Sequence, residues 1–294
     1  MTKSKKIINA ELVQKFEHHF RCPLCEKPIT VEQLKSFTCQ NNHSFDFTKQ
    51  GYLNLMTQPS KTDYDKKLFE HRQHLIAKTP FFHPLHEELV QIIQSNTIKQ
   101  SHPLTLLDIG CGEGSHLHTL LQHEKLTNYT GFGLDIAKEG IIAAAKAYTH
   151  KIWLVGDLAK SPFQSKSFDL LLNILSPSNY EEFKRILKNE GTLIKVIPAS
   201  NYLSELRTFF YENQQKETYQ NDDTLSLFQE HFPQFEEKRV TYQVKLDRDE
   251  LTALVYMTPL TWRANAQQKQ DFINTHADKL ITIDLLVLIG SLTQ

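Results

Sequence analysis

Between residues 104 and 197 the apolar residues gather into short, nearly continuous runs: LTLLDI (104–109), TGFGLDI (130–136), IWLVGD (152–157), FDLLLNIL (168–175) and TLIKVI (192–197). Runs of this kind predict strands buried on both faces. Between them the spacing becomes helical. One helix is predicted from the glycine-rich turn after Ile109 through Gln122, others at IIAAAKAY (141–148) and EEFKRILK (181–188), the last ended by 189–191. Strands alternating with helices predict an α/β fold, its parallel sheet covered on both sides. The tail is less regular, with VTYQVKL (240–246), a helix around 248–258 and ITIDLLVLI (281–289). The longest apolar run, 280–292, is interrupted by Asp284. It is too short for a membrane span and predicts a buried strand. Upstream, residues 66–95 predict two helices broken between Pro80 and Pro84, with Leu85, Leu89 and Ile92 at helical spacing in the second. Residues 57–65, polar and containing Pro59, read as a linker. The chain divides into 1–57, 58–95 and 96–294.

The 294 residues suffice for one large domain plus a small accessory. Hydrophobic residues at 40% and charged residues at 23% fit a folded globular chain. The net charge of −1 excludes a binder of nucleic acid driven by a basic tail, but leaves room for a local patch. Such a patch is present: residues 1–57 hold eight basic residues against five acidic ones, a local +3. The Lys-rich residues 1–10 lack an apolar signal core, so a cytoplasmic protein with no membrane association is expected. In that compartment the four cysteines favour a metal site or a buried thiol over disulfides.

Three of those cysteines form a pattern. Cys22 and Cys25 flank two residues; thirteen residues later Cys39 precedes His43 by four positions. Two ligand pairs on two short turns can converge on one tetrahedral zinc ion, and thiolate and imidazole donors favour zinc over magnesium or calcium. Four protein ligands leave no open position, so the zinc is expected to be structural. His18 and His19 are alternative fourth ligands; His43 mirrors the spacing of the first pair. The competing reading is two chance pairs in a metal-free segment.

The second pattern is LLDIGCGEG (106–114), after one predicted strand and opening a helix. Gly110, Gly112 and Gly114 permit a tight turn and close approach of a ligand. Dinucleotide enzymes use a similar turn, so the glycines alone are weak evidence and an NAD site is an alternative. Asp108 can orient the turn, Asp135 ends the next strand where ribose hydroxyls would lie, and Asp157 closes the third where an adenine amino group would lie. This spacing suits S-adenosylmethionine, which carries no pyrophosphate. Cys111 reads as a packing residue.

Together these motifs resemble the class I S-adenosylmethionine methyltransferases, and with the zinc segment in front the chain resembles the large-subunit (23S) ribosomal RNA (guanine-N1) methyltransferase family. The resemblance rests on CPLC (22–25), HSFDFTKQGYLNL (43–55), LDIGCGEG (107–114), GLDIAK (133–138), IIAAAK (141–146), MTPLTWRA (257–264) and Pro198 with Tyr202, Glu205 and Leu206. It implies a Rossmann-like domain with a mostly parallel seven-stranded sheet, a zinc-ribbon-like N-terminal domain, and methyl transfer to N1 of a guanine in a ribosomal RNA hairpin. Cys22, Cys25, Cys39 and His43 match the family's zinc ligands, Gly112 and Glu113 its cofactor turn, and Asp135 its ribose acid. Phe82 and Tyr202 fall at its cofactor-contacting positions. A homodimer is also implied, and no DNA partner. The chain departs from the pattern at Ser161-Pro162-Phe163 and Lys188-Asn189-Glu190-Gly191 and matches poorly after Ala264.

Guanine N1 lies on the Watson–Crick edge, so the target base must be unpaired or flipped out. Asn173 and Ser176, at the end of the fourth predicted strand, are candidates to bond the guanine edge. Arg21, Lys27, Lys35 and Lys49 are candidate RNA contacts, with Phe37, Phe45, Phe47 and Tyr52 between them either stacking on bases or forming a small core. Arg72 and Lys78 are placed for phosphate contact or for a solvated face, and Trp262 for the substrate crevice or for packing. The general base is unassigned; Asp46 and Glu113 are the carboxylates within recognised motifs. The rival readings are a small-molecule methyltransferase with a purely structural zinc segment, and an RNA-binding module without activity.

Overall fold

A computed structural model describes residues 3–58, 64–96, 103–211 and 221–292. The first helix, α1 (Lys5–Lys15), is capped by the Ser4 hydroxyl. Strands β1 (Ile29–Glu32), β2 (Ser36–Cys39) and β3 (Ser44–Asp46) form an antiparallel sheet of three. The two-residue β4 (Leu53–Asn54) leaves that sheet and joins the large one. Two helices follow, α2 (Lys66–Lys78) and α3 (His83–Asn96). Asp65 caps the first, accepting from the Leu68 amide at 2.8 Å, and Pro80 follows its end, as the sequence requires. Part of the 57–65 linker, residues 59–63, lies outside the described residues.

The large domain alternates as expected: β5 (Leu104–Ile109), α4 (Ser115–Gln122), β6 (Tyr129–Asp135), α5 (Lys138–Ala147), β7 (Ile152–Val155), β8 (Phe168–Ile174), α6 (Tyr180–Ile186) and β9 (Leu187–Pro198). Then come α7 (Ser204–Tyr211), α8 (Asp222–His231), β10 (Phe235–Lys245), α9 (Arg248–Met257), α10 (Ala266–His276) and β11 (Leu280–Ser291). The strand order is β10-β11-β9-β8-β5-β6-β7-β4, with only β10 and β11 antiparallel to their neighbours. The order reverses beside β5, between β6 and β8, so the ligand crevice falls at the C-terminal ends of β5 and β8.

Two details differ from the sequence reading. Among the described residues the sheet has eight strands, because β4 pairs in parallel with β7 through Leu53 and Leu154. Strand β9 begins at Leu187, inside the segment predicted as a helix end and turn. Leu187 is fully buried and pairs with Phe168, and an irregularity between Phe168 and Leu170 carries the extra residues before Thr192.

The zinc segment packs onto the sheet rather than standing apart. Phe20, Cys22, Phe37 and Phe47 share one core with Leu107, Phe132, Phe163 and Phe168. Phe20 lies 5.2 Å from Phe37 and 5.4 Å from Phe163, ring centre to ring centre. Each buried phenylalanine contributes on the order of 2 kcal/mol. Backbone bonds from Arg21 to the Pro162 carbonyl and from Gln164 to the His19 carbonyl fix the junction at 2.9 and 2.8 Å.

A candidate cofactor cleft and metal centre

The metal centre is built on two turns. Glu26 and Asn42, in left-handed conformation, close the turns after the cysteine pair and before His43. The four ligand atoms of Cys22, Cys25, Cys39 and His43 lie within 4.8 Å of one another. His43 Nδ1 is 3.5 Å from both the Cys22 and the Cys39 sulfur, and the Cys25 and Cys39 sulfurs are 3.6 Å apart. Around a tetrahedral zinc with ordinary bond lengths, sulfur–nitrogen and sulfur–sulfur edges are about 3.6 and 3.8 Å. The donors therefore fit one zinc ion. His19 is not a ligand. It is buried among Phe16, Phe132 and Phe168, where desolvation pulls its imidazole down to about 4. His18 stacks on Phe16 and lies tilted against His19.

The cofactor turn joins β5 to α4. Gly110, Gly112 and Gly114 all have positive φ, of 73°, 57° and 78°. A Cβ on Gly110 would meet the Ser176 hydroxyl oxygen at 1.9 Å, and one on Gly114 would meet the Trp153 ring at 2.3 Å. Only glycine fits either place. Asp135 locks the turn to the next strand: one carboxylate oxygen accepts from the Gly112 amide and the other from the Ala137 amide, both at 2.7 Å. A carboxylate has lone pairs to spare after two such bonds.

Three acids gather here. Asp108 and Glu113 are fully buried and Asp135 is half-buried. Asp108 Oδ2 has no hydrogen-bond partner among the described residues. Burial, opposed by Arg72 and reinforced by Asp135 and Glu113, pushes its carboxyl up to about 7. Among the described residues the cation paired with the cluster is Arg72, whose Nε lies 2.6 Å from a Glu113 oxygen. An excess of acid with an unsatisfied oxygen suits a cationic ligand, and S-adenosylmethionine, with a sulfonium and an ammonium against one carboxylate, is one. The residues fit that group.

Arg72 corrects the expectation of a phosphate contact or a solvated face. Helix α2 lies across the glycine turn, with Phe69 and Arg72 beside Gly112. Lys78, at the end of α2, is exposed. Phe82 sits in the core against Phe81 and His116, at 4.7 and 4.9 Å. Tyr202 is buried, its hydroxyl pushed up by desolvation in spite of Arg72 and Arg207. Asp157 is half-buried and caps the short turn after β7, accepting from the Ala159 amide at 2.8 Å. Cys111 is the packing residue expected, buried, with its thiol pushed well up by burial and the adjacent acids.

Asn173 is a further correction. It is fully buried, its amide donates to the carbonyls of Ile109 and Pro177, both at 3.1 Å, and its oxygen accepts from Lys195 at 2.6 Å. Both donors are spent on the protein, so it offers none to a guanine. Ser176, half-buried, presses against the glycine turn. Lys195 was not anticipated. The signal was available: one lysine in the apolar run TLIKVI (192–197).

The basic candidates separate. Lys27, Lys35 and Lys49 are exposed, whereas Arg21 is mostly covered and pairs with Glu26 at 3.1 Å. Phe37, Phe47 and Tyr52 are core, and Phe45 is half-buried. Trp262 is 41% exposed and meets Tyr64 edge-on at 5.4 Å. Asp46 is exposed on β3.

A doubly wound sheet with a glycine turn after its first parallel strand and an acid at the end of the second defines a class I S-adenosylmethionine methyltransferase, here carrying a zinc ribbon. A family described as RlmA, N-terminal, matches residues 20–62, and one described as methyltransferase domain matches residues 107–195. The chain is 40% identical over 273 residues to YxjB of Bacillus subtilis, named as a candidate 23S rRNA (guanine-N1) methyltransferase, covering 92% of this chain and 96% of that protein. It is 28% identical over 251 residues to the 23S rRNA (guanine(748)-N1) methyltransferase of Streptomyces fradiae, covering 85% and 88%. This chain belongs to the 23S rRNA (guanine-N1) methyltransferase family. Among solved structures, the YcgJ protein of Bacillus subtilis shares the fold, with a TM-score of 0.50, 12% identity, and coverage of 71% of this chain and 99% of that one.

Proposed function

We propose that this protein transfers a methyl group from S-adenosylmethionine to N1 of a guanine in a hairpin loop of 23S ribosomal RNA. The observation that carries this reading is the likeness to YxjB over 92% of the chain, which takes in zinc ribbon and methyltransferase domain together. The bound cofactor supplies an activated methyl group on a sulfonium. The chain's own residues have to hold it, align the acceptor and exclude the wrong base. Gly110, Gly112 and Gly114 let the backbone approach it closely. Asp135 receives the ribose hydroxyls, Asp157 the adenine edge, and Asp108 and Glu113 hold the cationic end, with Phe82 and Tyr202 walling the cleft. The N1 proton passes to water as the methyl arrives.

Residues 1–57 act as the RNA-recognition segment, 58–95 as a helical link and 96–294 as the methyltransferase domain. Lys27, Lys35 and Lys49 supply phosphate contacts, with Arg21 a weaker one. Trp262 offers a stacking face for a loop base, and Ser176 lines the acceptor side of the crevice. A cytoplasmic homodimer is part of this reading.

The deciding experiment combines purified protein, labelled S-adenosylmethionine and 23S rRNA from cells lacking the enzyme. The RNA is digested and the labelled nucleoside identified by mass. N1-methylguanosine from one hairpin loop is the expected product. No label in RNA, with cofactor binding intact, overturns the reading in favour of a small-molecule acceptor.

A further inference from the structure

Lys195 lies near the C-terminal end of β9, is 3% exposed, and stands between Ile194 and Val196 in the middle of the sheet. A buried ammonium is among the costliest groups a sheet can hold. Its charge has no carboxylate among its described partners. Burial alone pulls it down to about 8. Its two described bonds run to the last residues of β8 and to the turn that leaves it: Nζ donates to Asn173 Oδ1 at 2.6 Å and to the Ser176 carbonyl at 3.1 Å.

That turn is gripped on every side. Asn173 donates to the carbonyl of Ile109, the residue just ahead of Gly110. The Ser176 side chain fills the space that Gly110 leaves by having none. Leu175 is held at φ 52°, a conformation costly for a leucine, and its amide donates to the Val196 carbonyl at 3.0 Å. An uncompensated cation, a strained residue and a tight glycine contact therefore coincide at the C-terminal ends of β5 and β8, where the ligand crevice lies.

We propose that Lys195 is a positioning residue for methyl transfer: its buried ammonium fixes the 173–178 turn against the glycine turn and supplies positive charge at the edge of the acceptor crevice. The proposal rests on the guanine-N1 reading. In that reaction a bond forms between N1 and the methyl carbon. The carbon–sulfur bond breaks with its electron pair going to sulfur, and the N1 proton goes to water. As the proton leaves, negative charge spreads over N1 and O6 of the base. A fixed positive charge held in the protein beside the base lowers the cost of that charge more than the same charge in bulk water would. A leucine or methionine would fill the same volume and do neither task.

The test compares Lys195→Gln, which keeps hydrogen-bond donors without the charge, with Lys195→Arg, which keeps the charge. Three quantities are read for each: kcat on 23S rRNA, KM for the RNA, and cofactor affinity by calorimetry. In Lys195→Gln we expect kcat to fall by about 100-fold, within the range for loss of one electrostatic donor, with cofactor affinity and KM within about threefold of the parent. Lys195→Arg should recover at least about tenfold of that loss. Full kcat in Lys195→Gln overturns the proposal. So do equal losses in both variants, and so does a loss that follows weakened cofactor binding, since a merely structural prop would give those results. If Lys195→Gln fails to fold, Lys195→Arg still decides: its kcat must stay within about tenfold of the parent. The parent protein is assayed alongside; absence of N1-methylguanosine there rejects the guanine-N1 reading itself, and is distinguishable from any effect of the variants.

Discussion

Arg72, on a helix outside the Rossmann-like core, lies 2.6 Å from Glu113, an acid fully shielded from solvent in the cofactor turn. The pair ties helix α2 to the glycine turn. Breaking it from one side leaves a buried charge without a partner, which costs about 3–5 kcal/mol for a fully buried pair. Arg72 keeps about a fifth of its side-chain surface exposed, so Arg72→Met should destabilise by an amount near the lower end. Adding Glu113→Gln should restore much of the loss. Urea denaturation of both single variants and the double variant closes this cycle. Additive losses would mean that the ion pair is not what joins helix and turn.

Gly110 and Ser176 occupy a space with room for one side chain. Gly110→Ala forces a Cβ to within 1.9 Å of the Ser176 oxygen and strains a residue at φ 73°. We expect cofactor affinity to fall by at least about tenfold, the strain and the clash each being worth about 1 kcal/mol or more. Combining it with Ser176→Gly should recover the steric part only. Calorimetry with S-adenosylhomocysteine measures this. Unchanged affinity in Gly110→Ala would show that the turn adapts.

Much of this architecture was legible in the chain because the relevant signals are local. Apolar runs locate β5 to β9, the Cys22–Cys25 and Cys39–His43 spacings locate the metal, and the three glycines locate the turn. What was not legible depends on distant partners. Arg72 sits on a helix that reads as amphipathic linker, and only folding brings it beside Glu113. Asn173 ends an apolar run like any strand-end polar residue; its amide proves saturated once Ile109, Pro177 and Lys195 surround it. Strand β4 was missed because two residues have no periodicity, and Leu187 because its pairing with Phe168 overrides a helical pattern.

Cys22 is both a metal ligand and a member of the core shared by ribbon and sheet. Cys22→Ser should therefore lose its zinc and also lower the melting temperature of the whole chain, not only of a detachable segment. Zinc content by mass spectrometry and calorimetric unfolding test the two halves. Full zinc occupancy would remove Cys22 from the ligand set; lost zinc with an unchanged main transition would mean that the ribbon folds independently.

Acid sensitivity should come from histidines buried in the neutral form. His19 and His86 are both held at about 4 by desolvation, against about 6.5 in the unfolded chain. Between those values the unfolded state binds more protons, so stability rises with pH there and is lost as pH falls from 6.5 toward 4. Each unit of separation is worth about 1.4 kcal/mol. Neither ring nitrogen of His19 has a hydrogen-bond partner among the described residues. His19→Phe should thus stabilise the protein by about 1 kcal/mol or more and flatten this limb of the profile. Denaturation midpoints at pH 4.5, 5.5 and 7 would show it, and a parallel shift at all three would separate the gain from protonation.

The zinc ribbon offers three exposed lysines, Lys27, Lys35 and Lys49, while Arg21 is partly neutralised by Glu26. If these lysines meet RNA phosphates, each releases a counterion on binding, and the affinity falls with salt in proportion to their number. Replacing all three by glutamate should weaken RNA binding at low salt and reduce the slope of log affinity against log salt by about 2–3. The Arg21→Gln variant should change the slope by less than any one of them. Cofactor affinity, set by the glycine turn and its acids and not by these lysines, should stay the same in both. Filter binding of a 23S hairpin from 50 to 300 mM salt measures the slopes. A slope unaltered by the triple substitution would move the RNA contact off the ribbon and toward the face that carries Trp262 and Tyr64.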